Sequence, residues 1–109
     1  MEAFELEQLD KRRAESGGAY LEFLRIPQMS LGVYKLLAGA LDPQEPHTED
    51  EIYYVASGRA MITVAGEDRP VQPGSIIFVA ANAAHRFHTI SEDLMLLVFF
   101  APAEGTAQG

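Results

Sequence analysis

The chain has 109 residues and a mass of 12.0 kDa, enough for one hydrophobic core and too little for two. Hydrophobic residues at 48% and charged residues at 22% exclude a disordered chain, and a formal charge of -8 opposes binding to nucleic-acid phosphates or anionic lipid. With no cysteine, disulfides and thiolate metal sites are excluded, so any metal must be held by histidine, carboxylate or water. The first residues, Met1-Glu2-Ala3-Phe4-Glu5, are acidic where a signal peptide would be basic and then apolar. No apolar run approaches a membrane span, and a soluble, cytoplasmic protein is expected.

In chain order, residues 4–15 carry Phe4, Leu6 and Leu9 among charges and are followed by Ser16-Gly17-Gly18, which predicts a short amphipathic helix within an N-terminal segment 1–18. From Tyr20 the pattern changes to short β-type runs at 20–26, 31–37, 52–55, 60–64, 76–79, 85–90 and 94–100. Turn residues separate them: Pro27, Asp42-Pro43, Ser57-Gly58, Gly66-Glu67-Asp68, Pro73-Gly74, Asn82 and Ser91-Glu92-Asp93. No helix of crossover length lies between the runs, so the expectation is an all-β sandwich or closed barrel. Residues 94–100 are apolar on both faces, which suits a strand buried between the barrel and a second layer such as another subunit. The small, polar segment 102–109 is expected to be a flexible, frayed tail.

Four polar residues stand out as ligands for a first-row divalent ion: Glu45, His47, Glu51 and His85. Side chains at even separations share one face of an extended segment, so Glu45, His47 and Glu51 are expected to face one cavity, with His85 arriving from another strand. Glu49 and Asp50 read as a solvated loop.

The segment Glu45-Pro46-His47-Thr48-Glu49-Asp50-Glu51, followed after six residues by Gly58, resembles the first motif of the cupin superfamily, H-x-H, three or four residues, E, six residues, G. His47 falls on the second histidine, Glu51 on the glutamate and Gly58 on the closing glycine, while Glu45 occupies the first histidine's place and Gly39 is compatible with the leading glycine. The second motif, P-x-G, two residues, H, three residues, N, is matched more loosely by Ala80-Ala81-Asn82-Ala83-Ala84-His85. Ala80 replaces its proline, Asn82 its glycine, and His88 or a neighbour its asparagine; asparagine is tolerable because it enters the left-handed region.

The resemblance implies a single cupin domain over 1–109, an antiparallel double-stranded β-helix (jelly-roll) barrel at 31–100, often dimeric. It further implies a lumenal divalent ion (Mn, Fe, Zn or Ni) on His47, Glu51 and His85, with Glu45 as a fourth ligand. A one-residue register shift would put Gln44 there instead. In a metal-free cupin the same histidines would hydrogen-bond beside Glu51, and a proton or a cation must balance the charge.

By strand alternation Tyr53 and Phe87 share the ligands' side and are the candidate pocket walls, whereas Tyr54, Arg86 and His88 point away. Arg59, Arg69 and Arg86 read as solvated charges. The function expected is a metal-dependent enzyme on a small organic molecule, by oxygenation, isomerisation or decarboxylation, with Glu45 as general base if it is not a ligand. The alternative is a non-catalytic module binding a sugar or effector. A ligand-free structural dimer is disfavoured by the polar lumen.

Overall fold

Ser16-Gly17-Gly18 ends the first helix as its chemistry demands: α1 (Leu6–Ser16) closes on Gly17 at φ 80°, whose N–H reaches the Ala14 carbonyl. The computed structural model describes the backbone of residues 1–108 and the side chains of 1–107. Six strands follow α1: β1 (Tyr20–Ile26), β2 (Met29–Leu36), β3 (Asp50–Val64), β4 (Glu67–Val71), β5 (Ile76–Val79) and β6 (His85–Ala101). They pair antiparallel in the order β1-β2-β6-β3-β4, with β5 on the other side of the first half of β3. No helix among the described residues is long and apolar enough to cross a membrane.

The sheet closes on itself. Glu51 lies near the start of β3, and His85 pairs with Val64 at its end. Thirteen residues of straight strand would span about 43 Å. Yet the molecule measures 35 × 30 × 24 Å and the His85 and Glu51 side chains meet at 3.1 Å. A long β3/β6 pair that bends and coils over on itself satisfies both, as in the double-stranded β-helix architecture.

Two expected breaks fall inside these long strands. Ser57-Gly58 is a run of irregular pairing, with register shifts between Val55 and Met61, and Ser91-Glu92-Asp93 lies opposite it. Gly58 has φ 95°, and a Cβ there would overlap the Asp93 carbonyl, so the bend needs glycine on two counts. β4 departs from expectation, because Gly66-Glu67-Asp68 reads as turn and no β-type run is expected at 67–71. It is an edge strand, where charges and proline deter further pairing. The turn before it is the two-residue Ala65-Gly66 hairpin, both at positive φ.

Alternation along β6 explains its two apolar faces. Leu94, Leu96, Val98 and Phe100 point into the barrel beside Tyr53, Val55 and Phe87. Met95 and Leu97 point out to a second cluster with Leu9, Leu6, Val33 and Phe23, so the layer covering β6 is α1. Burying Leu9 alone contributes about 2 kcal/mol to holding the helix there.

The expected frayed tail is instead a strap, and Gly109 alone of it lies outside the described residues. Ala103 is fully buried and its N–H reaches the Pro27 carbonyl. The Glu104 N–H donates to Ser30 Oγ and its carbonyl accepts from Arg25 Nη2. A short 3-10 turn, Thr106–Gln108, brings the Ala107 N–H to the Glu49 carboxylate. Glu49 is therefore a buried anchor, not a solvated loop residue.

Candidate metal centre

Three elements deliver three ligand-type side chains to one end of the barrel. Glu51, on the inward face of β3 between Val79 and Phe100, is 1% exposed. His85 opens β6 after a turn in which Asn82 takes φ 67°, and the Asn82 N–H donates 2.6 Å to the His47 carbonyl. That bond ties the turn before His85 to the loop carrying His47. One ligand atom from each of His47, Glu51 and His85 lies within 4.8 Å of the other two.

The detail favours a shared ion over direct pairing. His85 Nε2 stands 3.1 Å from Glu51 Oε1, yet the two do not align as donor and acceptor, and Nε2 and both Glu51 oxygens lack a hydrogen-bond partner among the described residues. Two donors bound cis at ~2.1 Å from one ion stand ~3 Å apart. The His85 Nδ1 lies 2.8 Å from the Ala83 carbonyl, which places the proton there and leaves the Nε2 lone pair for the cavity. His47 Nε2 lies 3.9 Å from Glu51 Oε1. Two imidazoles around a buried carboxylate that has no hydrogen-bond partner among the described residues fit a divalent cation.

Glu45 is exposed and outside the cluster, so it reaches neither the ligand atoms nor a cavity substrate as a base. Residues 41–47 form no strand, and the parity that aligned Glu45 with His47 does not apply there. Gln44 faces the site instead, with Oε1 3.4 Å from His47 Nε2. Its amide is fixed: Nε2 donates to Asp42 Oδ2 at 2.6 Å, and Oε1 accepts from the Tyr53 hydroxyl at 2.6 Å. Asp42, itself buried, also accepts from Tyr34 and the Phe87 N–H.

A cavity of about 130 Å³ opens beside the cluster, walled by Tyr20, Tyr34, Tyr53, Val98, Phe100 and Glu104 together with Gln44, His47 and Glu51. Tyr53 is a pocket wall as expected from alternation. Phe87 is not: it sits behind Tyr53, ring centroids 4.9 Å apart, in the core. Tyr20 and Tyr34 are paired residues of β1 and β2, and the Tyr20 ring lies where a Gly32 side chain would be. Neither they nor Glu104 carried a motif signal. Only the β pairing could have flagged the tyrosines. His88 lies outside, by Thr63 and Asp68.

The cavity is electronegative. Burial, then Glu104, holds the Tyr20 hydroxyl well above the usual tyrosine range; burial, then the Asp42 hydrogen bond, does so for Tyr34. Burial followed by Glu51 raises Tyr53. For His85, burial pulls the pKa down, but Glu51 and the Ala83 carbonyl outweigh it and the net shift is upward. A proton therefore favours the position a cation would take.

A Cupin domain family model matches residues 32–100. An uncharacterised protein of Streptomyces coelicolor is 54% identical over 104 residues, 95% of this chain and 99% of that protein. Among solved structures, TT1209 from Thermus thermophilus superposes with TM-score 0.74 at 27% identity, covering 94% of this chain and 99% of that one. The DMSP lyase DddQ from Ruegeria pomeroyi DSS-3 superposes with TM-score 0.69 at 22% identity, covering 81% of this chain and 49% of that one.

Proposed function

The chain belongs to the cupin family, and from that premise we propose that it holds one divalent ion on His47, Glu51 and His85 and acts on a small organic molecule in the adjoining cavity. The observation that carries the reading is the convergence of His85 Nε2 and both Glu51 oxygens, all buried and without hydrogen-bond partners among the described residues. Two imidazoles and a carboxylate suit Mn(II), Fe(II), Zn(II) or Ni(II). Gln44, locked by Asp42 and Tyr53, takes the place expected of Glu45 as a fourth donor, through its amide oxygen.

When bound, the ion would polarise a substrate oxygen as a Lewis acid. The residues around it do the rest. Val98 and Phe100 exclude water, and the Tyr20 hydroxyl, buried and without a hydrogen-bond partner among the described residues, is a group available to a ligand. A cavity of about 130 Å³ admits a ligand of about six heavy atoms, since an engineered ~150 Å³ cavity takes benzene. Oxygenation, isomerisation and decarboxylation all fit this set of groups. An enzyme is favoured over a passive binding module by the cavity that adjoins the ligand atoms, where a small molecule would lie against the ion; a DMSP lyase shares the fold. Titration of chelator-treated protein with Zn(II) or Mn(II) tests the reading: one equivalent per chain is expected, with affinity reduced at least ~100-fold in His85→Ala. Absence of a stoichiometric site would sink it.

The outer face of β3 and β5 supports pairing with a second copy. The cross-strand pairs Ile52 with Phe78 and Tyr54 with Ile76 leave four neighbouring apolar side chains exposed, on the part of the outer surface that α1 does not cover. These four side chains carry no charge, so they suit an identical face on a second chain with the same formal charge of -8. Light scattering should give about twice 12.0 kDa for the native protein and the monomer mass for Phe78→Asp; a monomeric native protein would refute the pairing.

A further inference from the structure

The structure assigns Glu104, carried by the C-terminal strap, as the residue that positions His47 for the ion; we propose this role on the basis of the metal reading above. His85 and His47 receive different support. His85 begins a strand, is buried, and has Nδ1 2.8 Å from the Ala83 carbonyl. His47 sits on a loop with no strand pairing and its side chain is 22% exposed, and the oxygen that faces its Nδ1 is Glu104 Oε2 at 3.6 Å. On the other side of the ring, Nε2 faces Gln44 Oε1 at 3.4 Å and Glu51 Oε1 at 3.9 Å.

The choice of tautomer is therefore contested at His47. A proton on Nε2 would be drawn to Gln44, and that nitrogen could not bind metal. A proton on Nδ1 is drawn to Glu104, which frees Nε2 and turns it toward Glu51, as Ala83 does for His85. Both histidines then present Nε2 to the same carboxylate oxygen. The edge of the His47 ring on Phe100, at 4.9 Å between centroids, sets its tilt but says nothing about its proton.

Glu104 is placed for this by backbone atoms alone. Its N–H is held by Ser30 and its carbonyl by Arg25, Ala103 is buried beside it, and Ala107 is anchored on Glu49. Among the described residues the carboxylate's one ionic contact is His47, so truncating the side chain leaves the strap's backbone attachments in place. The site is thus completed by a segment outside the barrel motifs.

The test compares wild type, Glu104→Ala, Glu104→Gln and, as an exposed control, Glu45→Ala. Zn(II) affinity by chelator competition should fall about 10- to 100-fold in Glu104→Ala, less in Glu104→Gln, which keeps an oxygen acceptor, and not at all in the control. In parallel, imidazole ¹⁵N shifts of the metal-free proteins should show the His47 proton on Nδ1 in wild type and displaced from it in Glu104→Ala, with His85 unchanged. Unaltered Zn(II) affinity in Glu104→Ala would overturn the assignment, as would an unaltered His47 tautomer. If wild type binds no Zn(II), the metal reading fails, and the ¹⁵N shifts still decide whether Glu104 orients His47.

Discussion

Replacing Glu51 with methionine should make the metal-free protein more stable while abolishing its stabilisation by metal. Glu51 is 1% exposed and neither of its oxygens has a hydrogen-bond partner among the described residues. An unpartnered buried polar group costs about 1–3 kcal/mol, and a charged one more. Methionine keeps the length of the side chain and removes that cost, so at a pH above the raised His85 pKa, where no imidazolium faces Glu51, metal-free Glu51→Met should gain about 1–3 kcal/mol, or several degrees in Tm. The wild type, in contrast, should gain about 2.7 kcal/mol when the ion is present at 100 times its Kd, and the variant nothing. Calorimetric scans of both proteins with and without Zn(II) give the four values needed. A metal-free variant less stable than wild type would mean that Glu51 serves the fold, not a ligand.

The second large effect is in pH. The His85 pKa is raised from its ordinary 6.5 by Glu51 and the Ala83 carbonyl, against the opposing pull of burial. In the metal-free protein, protonated His85 therefore favours the folded state. That contribution is complete below the unfolded value of 6.5 and is lost as pH rises through the raised folded value. Metal binding runs in the opposite sense, because the ion and the proton compete for Nε2. Below the folded pKa of His85, affinity should fall about tenfold for each pH unit if one proton is displaced. The increment in Tm given by Zn(II) should then be greatest on the alkaline side and vanish with acid. An increment independent of pH between 5 and 8 would exclude His85 as a ligand.

That His47, Glu51 and His85 come together was legible because a short motif with fixed spacing names them and strand parity agrees for Glu51. Glu45 misled because parity was applied to residues that form no strand, and the neighbouring Gln44 turned inward on its bonds to Asp42 and Tyr53. Residues 20–26 and 76–79 read correctly as strands, bounded by turns that break the chain. Ser57-Gly58 and Ser91-Glu92-Asp93 carry the same turn chemistry, but each belongs to a bend whose partner is the other, and pairing across the chain is invisible to a local pattern. The burial of Glu49 depends on an N–H 58 residues away, and the placement of Glu104 on a hydroxyl 74 residues away. Such residues look like ordinary surface acids until the fold is closed.

Crystals grown with Zn(II) and measured on both sides of its absorption edge test the central claim most directly. One anomalous peak per chain is expected, at about 2.0–2.2 Å from His47 Nε2, His85 Nε2 and a Glu51 oxygen. A barrel without that peak, or with its only peak on the outer surface beside His88 and Asp68, would contradict it.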